Sequence, residues 1–458
     1  MSYLGVYISS ILSNKRVKAG FLGLGKSNLA LMRELSRFVE CDIVLRDNRD
    51  DPKISGDVPI GVRMFGKNAL RDIDEDILFL SPSVRRDSPE LLDANSRGVI
   101  LTSDCELFYD FNTTPTIGIT GSDGKSTVTT LTSLLLREEG YSSCAIGNIG
   151  VPYIDAPDSD YLVSELSSFN LQYLSPRLFR AAITNITPNH LNWHTSFEEY
   201  TRAKKNILKN AEYTVLSADD ALCSEIIQEE GASSVFSIRK SYDELKQCCQ
   251  ADVYYTCSAE AIERLGKPII MLADLPQHED YYYKNVMCAL ALTDGLVSDE
   301  AAKAVLRTFR GLEHRCEEFL RISGISFINS SIDTTPMRTA TTVSSLKRNV
   351  RIILGGRGKG LSYQPLIDPL IRYADRISLY GDAADELLEV LKSEKALSNI
   401  EIGIFQTFSD CVSHALCGTT CGDTVLLSPA CTAYGEFRDY TERGSRFKEI
   451  IKNMYKIV

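Results

Sequence analysis

The chain has 458 residues, a length at which a single hydrophobic core has usually given way to two or three domains. Its hydrophobic fraction of 44% and charged fraction of 24% are those of an ordinary globular protein and exclude a mainly disordered or fibrous chain. The formal net charge of -11 argues against general affinity for nucleic acid or anionic membranes, so an anionic ligand needs a local site.

The cysteines and the N-terminal residues indicate a cellular compartment. The 13 cysteines include no CxxC pair, and a chain of this length needs no disulfide staples, so we expect reduced thiols. Residues 1–14 lack a basic start and a clear cleavage site, and no apolar run approaches the roughly 18 residues of a membrane span. These features predict a cytoplasmic protein without membrane insertion.

The first predicted unit is a strand, a glycine turn, a helix and a second strand. Residues 17–22 form a buried apolar run, the helix ends near Phe38, and the second strand covers 41–45. An acid about twenty residues after the turn is typical of a nucleotide-binding unit. Asn28 replaces the third glycine of that motif, so a turn that only packs helix against strand fits equally well. The residues of this turn are Gly25, Lys26 and Ser27, and the second strand ends at Asp47, Asn48 and Arg49.

The strongest local signal follows a strand predicted at 116–119. A glycine-rich loop with a lysine and two hydroxyls leads into a helix predicted over 128–138. Backbone donors, an ammonium and a Mg²⁺-binding hydroxyl in this arrangement are typical of a polyphosphate site. Ile119 stands where a strict Walker A motif has its first glycine, so the loop is a variant of that motif. The loop residues are Gly121, Ser122, Asp123, Gly124, Lys125, Ser126 and Thr127.

Polar residues also follow two later strands. Glu165 lies in a strand predicted at 162–166, and His190 follows one predicted at 181–186. The carboxyl ends of parallel strands are where α/β folds place ligand groups, so a carboxylate and an imidazole there could ligate or position Mg²⁺. Taken singly, each residue is also compatible with a structural role.

A charged helix is predicted after these strands. Ser196 and Glu199 have the spacing of a capping box, and Lys204 and Lys205 follow in the same helix. A solvated helix face accounts for both lysines as well as a functional role does.

The C-terminal part, from Gly311, predicts another parallel sheet. Strands at 325–328, 350–354, 377–380, 400–404 and 424–427 alternate with helices. The glycine-rich basic loop at 355–360 suits an anionic group, with a mobile surface turn as the alternative.

Six blocks of the sequence, in order, resemble the Mur ligase family, and the resemblance covers nearly the whole chain. It implies an α/β protein with three domains: a Rossmann-like domain for a UDP moiety, a central P-loop ATPase-type domain with a mostly parallel sheet, and a Rossmann-like domain for an amino acid. The implied boundaries are 1–112, 113–310 and 311–458. The matching blocks are 120–127, 165–169, 185–191, 311–315, 354–356 and 426–431.

The resemblance implies an ATP-dependent ligase of peptidoglycan precursor synthesis, in the branch that joins D-glutamate to UDP-N-acetylmuramoyl-L-alanine. The substrate carboxylate takes the γ-phosphate of ATP, and the amine captures the acyl phosphate. The implied catalytic residues are Lys125, His190 and Lys204, with Lys204 carbamylated, or Lys205 if the register slips by one. Two Mg²⁺ ions and a monomer are also implied. The implied metal ligands are Ser126, Glu165, His190 and Lys204.

Further binding residues follow from matching positions. Asn285 and Arg315 are implied ATP contacts in addition to residues 121–127. The implied UDP-sugar contacts are Gly25, Lys26, Ser27, Asp47, Asn48 and Arg49 together with Asn148, Ser167 and His190. The implied amino-acid contacts are Thr334, Lys359 and Tyr440.

The third domain departs from the family pattern at several positions. Ser330 and Ile332 stand where the commonest pattern has an acid and a lysine, and Ala433 replaces a serine. These departures favour a second hypothesis, in which a catalytically impaired homologue binds nucleotide or UDP-sugar as a sensor or scaffold. The N-terminal UDP-type domain argues against a folylpolyglutamate-type ligase, which lacks it.

Overall fold

A computed structural model of the chain describes residues 17–38, 41–50, 52, 61–191 and 193–456. The segment 1–14, whose composition bears on targeting, lies outside the described residues. Internal contacts divide the chain into two compact units, Met1–Thr308 and Phe309–Val458. In the part of the chain that the structure describes, no helix is long and apolar enough to cross a membrane.

The first unit begins with a parallel sheet whose described strands are ordered β3-β2-β1-β4-β5. The order reverses at β1, and in such sheets ligands bind in the crevice at the carboxyl ends beside that point. The glycine turn follows β1 there, and the segment from Ser81 follows β4. The elements are β1 (Val17–Leu22), α1 (Lys26–Phe38), β2 (Cys41–Asp47), β3 (Val62–Phe65), β4 (Ile77–Leu80), α2 (Pro89–Ser96), β5 (Ile100–Thr102) and α3 (Asp104–Phe111).

A buried ion pair lies within this first sheet region. Arg46 of β2 donates from Nε to Glu75 Oε1 over 2.7 Å, and both side chains are almost entirely buried. The same guanidinium donates to the carbonyl oxygens of Ala69, Arg71 and Asp72. The pair therefore ties β2 to the chain segment that leads into β4.

The second sheet of the first unit carries the phosphate loop. Its described strands are ordered β16-β15-β14-β13-β12-β10-β6-β8-β7, parallel from β7 to β14 and antiparallel beyond. Strands β6 and β10 are buried throughout, as expected for parallel strands covered on both faces. Its strands are β6 (Thr116–Thr120), β7 (Ser143–Gly147), β8 (Tyr161–Glu165), β10 (Arg180–Ile183), β12 (Thr214–Ser217), β13 (Ala232–Ser237), β14 (Ala251–Cys257), β15 (Ala261–Arg264) and β16 (Lys267–Met271).

Helices cover the faces of this sheet. The longest of them, α4, begins after Gly124 (φ 82°) and ends before Gly140 (φ 108°), two left-handed positions that suit glycine. A separate two-stranded pair joins β9 (Arg177–Leu178) and β11 (Asn210–Ala211). The helices are α4 (Lys125–Glu139), α5 (Ser168–Leu171), α6 (Phe197–Lys205), α7 (Ala221–Glu230), α8 (Tyr242–Cys248), α9 (Asp280–Leu292) and α10 (Asp299–Leu306).

The second unit contains a sheet of order β17-β18-β22-β19-β20-β21, parallel except for β17. Apolar side chains on both faces of it, such as Ile352 and Ile353, belong to separate buried clusters. The elements are β17 (Glu317–Ile322), β18 (Ile325–Asn329), α11 (Pro336–Leu346), β19 (Val350–Gly355), α12 (Ile367–Tyr373), β20 (Ala374–Tyr380), α13 (Ala384–Ser393), β21 (Glu401–Phe405), α14 (Phe408–Leu416), β22 (Thr424–Ala430) and α15 (Tyr440–Met454).

The predicted α/β class with mainly parallel sheets is confirmed. The domain boundaries at residues 112 and 310 stay predictions. The capping box predicted at Ser196 and Glu199 is wrong in one half: Ser196 Oγ accepts from the Glu199 N–H, but the Glu199 carboxylate accepts from the Thr195 N–H and from Arg85 instead. A tertiary partner has replaced the local one.

Candidate active site

The strand order gathers the predicted residues at one edge of the second sheet. Strands β10, β6, β8 and β7 are neighbours and parallel, so their carboxyl ends lie side by side. The loops that follow them border a cavity of about 340 Å³. Of the residues predicted from the sequence, the cavity is lined by Gly121, Lys125, Asn148, Ser167, His190 and Lys204.

Two glycines of the phosphate loop are required by their surroundings. Gly121 has φ 152°, and a Cβ there would lie 1.9 Å from Thr184 Oγ1. Gly124 has φ 82°, and a Cβ there would lie 2.4 Å from Asn285 Oδ1. The predicted nucleotide residue Asn285 therefore lies against the loop, although its spacing in the sequence places it in a distant helix.

The loop is held in shape by its neighbours. The Asp123 carbonyl accepts from Thr184 Oγ1 (2.5 Å) and Asn185 Nδ2 (3.1 Å), and the Asp123 N–H donates to Asn185 Oδ1 (2.9 Å). Ser122 Oγ lies 2.8 Å from the Tyr200 hydroxyl. Since α4 starts at this loop, its first N–H groups are directed towards an anion bound there.

Two lysines meet at the Gly121 carbonyl oxygen. Lys125 Nζ donates to it over 2.8 Å, and Lys204 Nζ donates to it over 2.7 Å. Burial lowers the pKa of Lys204 well below its usual range, and the charge of Lys125 lowers it further. Lys205 instead lies 3.7 Å from Glu229 and 3.6 Å from Glu230. Lys204, not Lys205, is the lysine of this helix that reaches the cavity.

The chemistry of the donors suits a cation shared with phosphates. Glu165 is buried, and its Oε2 has no hydrogen-bond partner among the described residues. Ser126 is buried in the first turn of α4. Within the described ranges no three His, Cys, Asp or Glu side chains form a preformed metal cluster. Mg²⁺ at nucleotide sites takes one or two carboxylates together with phosphate oxygens and water, so these residues fit that ion.

One part of the cavity lining is aromatic. His190 is exposed at φ 55°, with its ring 5.0 Å from that of Phe169. The Trp193 ring also packs against Phe169, at 4.4 Å. His194, which the sequence analysis missed, is buried here with Nε2 2.9 Å from Ser168 Oγ. Its only sequence signal is its position one helical turn after His190.

His194 predicts a pH dependence of stability. Burial lowers its pKa from 6.5 to about 4, although Glu199 opposes this. Because the unfolded chain takes up the proton first, the contribution of His194 is complete above pH 6.5 and is lost as the pH falls to about 4. Between pH 6.5 and about pH 4, the free energy of unfolding of wild type should fall by about 3 kcal/mol more than that of His194→Gln. Urea denaturation at each pH measures this difference.

The matched control is His278→Gln, which changes an exposed histidine of the same unit. An unchanged pH dependence in His194→Gln would contradict the assignment. The charges of Arg85, His190 and Lys204 also lower the pKa of His194. The free energy of unfolding of each variant is therefore compared with that of wild type at every pH.

The glycine turn after β1 is built around Asn28. Its Nδ2 donates to the carbonyl oxygens of Leu22, Gly23 and Phe79, which belong to two strand ends. Nothing lies within 4 Å of a Cβ at Gly25, and Lys26 is exposed. The turn therefore presents an open surface.

Asp47, at the end of β2, connects the glycine turn to the segment after β2 by hydrogen bonds. It accepts from the Leu24 N–H (2.9 Å) and from Arg49 Nη2 (2.7 Å), and the hydrogen bond from Arg49 holds the pKa of Asp47 at about 2. Asn48 and Arg49 are exposed. The predicted residues of the turn thus lie together at the carboxyl ends of β1 and β2, but none of them lines the cavity of the second sheet.

The predicted amino-acid contacts belong to the second unit. Lys359 Nζ donates to Thr334 Oγ1 over 3.1 Å, and burial lowers the pKa of Lys359. Tyr440, at the start of α15, has its ring 6.3 Å from that of His314. Arg315 follows His314 in the same unit.

Ser330 stands where the family pattern has an acid, but an acid, Asp333, lies three residues further on. No role was assigned to Asp333 from the sequence. Asp333 is buried, and its Oδ2 accepts from Ser428 Oγ and Thr342 Oγ1, both over 2.8 Å. These bonds join α11 to the end of β22. Asp333 therefore has a structural role within this unit.

Comparison with known proteins identifies the family. The family profile described as Mur ligase middle domain matches residues 119–293. The UDP-N-acetylmuramoylalanine--D-glutamate ligase of Acetivibrio thermocellus is 33% identical over 457 residues, covering 96% of this chain and 97% of the relative. Its counterpart from Clostridium novyi is 31% identical with the same coverage. The chain belongs to the Mur ligase family.

Members of the Mur ligase family are ATP-dependent ligases, and the resemblance predicted from sequence blocks is confirmed. The matched segment of the Mur ligase profile contains the phosphate loop, Glu165, His190, Lys204 and Asn285. A solved structure, the UDP-N-acetylmuramate-alanine ligase from Thermotoga maritima, covers 96% of this chain and 100% of that chain with a TM-score of 0.59. At 18% identity, that likeness concerns the fold alone.

Proposed function

We propose that this Mur ligase joins D-glutamate to UDP-N-acetylmuramoyl-L-alanine at the expense of ATP, in the cytoplasm and as a monomer. The observation that carries the proposal is the shared cavity: the phosphate-loop lysine Lys125 and the predicted sugar contacts Asn148, Ser167 and His190 line the same space. The names of the relatives, which span nearly the whole chain, support the choice of substrates. The domain boundaries at 112 and 310 are part of this proposal.

The proposed reaction has two steps. A carboxylate oxygen of the acceptor attacks the γ-phosphorus of ATP, the bond from that phosphorus to the bridging oxygen breaks, and ADP leaves with an acyl phosphate formed. The amine of D-glutamate then attacks the acyl carbon, loses a proton and expels phosphate. Both steps bring anions together, so positioning and charge neutralisation account for most of the catalysis.

The residues of the cavity divide these tasks. Lys125 Nζ bridges the carbonyl oxygens of Gly121 and Ser122 at 2.8 and 2.9 Å, and this position within the phosphate loop supports a role beside the γ-phosphate. Glycines 121 and 124 let the backbone approach the phosphates closely. His190, in the aromatic part of the lining, faces the same space and orients the acceptor. ATP is further contacted by residues 121–127, Asn285 and Arg315.

Two Mg²⁺ ions would be held by Ser126, Glu165, His190 and Lys204, and when bound they would supply neutralisation of the phosphate charge. The unpartnered buried Oε2 of Glu165 supports this assignment. The lowered pKa of Lys204 supports a carbamate there: a neutral amine adds CO₂ and releases a proton, and the Lys125 cation stabilises the resulting anion.

The remaining proposed contacts bind the UDP moiety and the amino acid. The UDP end lies on the open turn of Gly25, Lys26 and Ser27 and on the Asp47–Arg49 segment. Thr334, Lys359 and Tyr440 bind the amino acid, with the lysine facing its carboxylates.

The test is phosphate release by the purified full chain with ATP, Mg²⁺ and UDP-N-acetylmuramoyl-L-alanine. D-glutamate, L-glutamate, glycine and L-lysine are compared as amine substrates, each with and without added bicarbonate. We expect release with D-glutamate only, and faster release with bicarbonate because it restores the Lys204 carbamate. Preference for another amino acid would overturn the substrate assignment. Binding of ATP and UDP-sugar without any turnover would overturn the ligase and favour a sensor or scaffold.

A further inference from the structure

One wall of the cavity comes from the first sheet, not from the second. The segment after β4 contributes Ser81, Pro82 and Ser83 to the lining. The facing wall is formed by Phe169 and His190, which belong to loops of the second sheet. The width of the cavity therefore depends on how these two loops are held together.

Arg85 and Trp193 join the two walls by reciprocal contacts. Arg85 Nη1 donates to the Trp193 carbonyl oxygen over 2.5 Å, and the guanidinium carbon lies 5.0 Å from the centre of the Trp193 ring. In return, Trp193 Nε1 donates to the Ser83 carbonyl oxygen over 2.7 Å. We call this pair the Arg85–Trp193 clamp.

A buried carboxylate anchors the clamp in the second sheet region. Glu199 lies 3.3 Å from Arg85 Nη2, and it also accepts from the Thr195 N–H (2.5 Å) and Gln172 Nε2 (2.9 Å). Burial alone would raise the pKa of Glu199, but the hydrogen bonds from Thr195 and Arg85 outweigh this and bring it to about 2. Asp87 fixes the other edge of the guanidinium at 2.6 Å. The Glu199 carboxylate is thus held between Arg85 and donors of the second sheet region.

The clamp reaches the cavity through one packing contact. Trp193 itself is not part of the lining, but its ring lies 4.4 Å from Phe169, which is. Its indole bond to Ser83 ends on the opposite wall. A movement of Trp193 therefore changes both walls together. The phosphate loop is held directly by bonds to Thr184 and Asn185, and Trp193 reaches it only indirectly, through the rings of His194 and Tyr200 and the hydroxyl of Ser122.

We propose that the Arg85–Trp193 clamp sets the spacing of the two cavity walls and so positions the acceptor end of the UDP-sugar against the phosphate loop. Arg85 and Trp193 are positioning residues, since they act through Ser83 and Phe169. This inference rests on the proposed function for the identity of the acceptor. It predicts a selective effect: binding of the UDP-sugar depends on the clamp, and binding of ATP does not.

The test uses Arg85→Ala, Arg85→Lys and a matched control. Lysine keeps the charge but lacks the planar fork that contacts a carbonyl, a carboxylate and a ring at once. The control is Arg33→Ala, which removes an exposed ion pair to Asp155 (3.9 Å) between the same two sheet regions, at residues that do not line the cavity. Trp193 is the only tryptophan of the chain, so indole fluorescence, excited where tyrosine does not absorb, reports on the clamp alone.

In phosphate-release assays we expect Arg85→Ala to raise the KM for the UDP-sugar about tenfold and leave the KM for ATP within about twofold. Arg85→Lys should be intermediate, and Arg33→Ala should behave as wild type. Acrylamide should quench Trp193 more strongly in Arg85→Ala than in Arg33→Ala. Equal increases in both KM values, or no increase in either, would overturn the proposal.

The fluorescence separates failure of the clamp from failure of the proposed function. If wild type does not turn over the UDP-sugar but quenching still differs between the two variants, the substrate is wrong and the clamp is supported. Identical quenching in Arg85→Ala, Arg85→Lys and Arg33→Ala would overturn the clamp whatever the substrate is. A loss of the melting transition in Arg85→Ala leaves the comparison to Arg85→Lys, for which the same outcomes apply.

Discussion

Replacing Lys125 with alanine is expected to lower kcat by about a hundred- to a thousandfold. Lys125 Nζ is held between the carbonyl oxygens of Gly121 and Ser122, inside the cavity that receives the phosphates. Without the ammonium, the charge that develops during phosphoryl transfer loses its closest fixed cation. The measurement is kcat from phosphate release at saturating ATP and UDP-sugar.

Lys205→Ala is the control for this substitution. It removes a lysine of the same unit that contacts Glu229 and Glu230 away from the cavity, so kcat should stay within about twofold of wild type. Thermal melting of both variants is measured beside wild type, so that a loss of kcat is separated from a loss of folding. A Lys125→Ala enzyme with at least a tenth of the wild-type kcat would contradict the proposed role.

The second large effect is on stability: Glu75→Ala should lower the free energy of unfolding by about 3–5 kcal/mol. Glu75 and Arg46 are both almost entirely buried, with Nε and Oε1 2.7 Å apart. Removing the carboxylate leaves a buried guanidinium charge without its ionic partner. Urea denaturation followed by circular dichroism measures the loss.

A double substitution separates the charge from the packing. Arg46→Met combined with Glu75→Leu removes both charges and keeps apolar volume, but it also takes the guanidinium donor from the carbonyl oxygens of Ala69, Arg71 and Asp72. It should therefore recover only part of the loss. Asp93→Ala, which breaks the exposed pair with Arg97, should cost less than about 1 kcal/mol. If the double variant is as unstable as Glu75→Ala, the loss comes from packing and from these carbonyl oxygens, and not from an unpaired charge.

Much of the fold could be predicted because its signals are local. The apolar run at 17–22, the glycine turn and the helix after it were visible in the sequence, and so was the phosphate loop with its flanking strand and helix. Several strands were not predicted: β3, β7, β12, β13, β14, β15, β16 and β17. At the edge of the second sheet, β14, β15 and β16 alternate between buried and exposed side chains only partly, and β15 and β16 pair antiparallel, which the strand–helix alternation does not indicate.

The candidate site was predictable to the level of its motifs and not beyond. Sequence spacing could not decide between Lys204 and Lys205, because only burial distinguishes them. No sequence pattern marked His194, because the side chain that it contacts, Ser168, lies in a different loop. The spacing of Glu199 predicted a helix cap. In the structure its carboxylate contacts Arg85 instead, because the segment after the first sheet brings that arginine close to it. Contacts between distant segments decided each of these cases.

The turn at Asn28 bears on how such sites are detected in other sequences. A glycine at the third motif position lets helix and strand approach closely, whereas here one amide side chain satisfies three carbonyl oxygens from two strand ends. Here the turn is held in place by the side-chain hydrogen bonds of Asn28. A search pattern that insists on the third glycine would pass over chains of this kind, and one that also admits asparagine at this position would retain them.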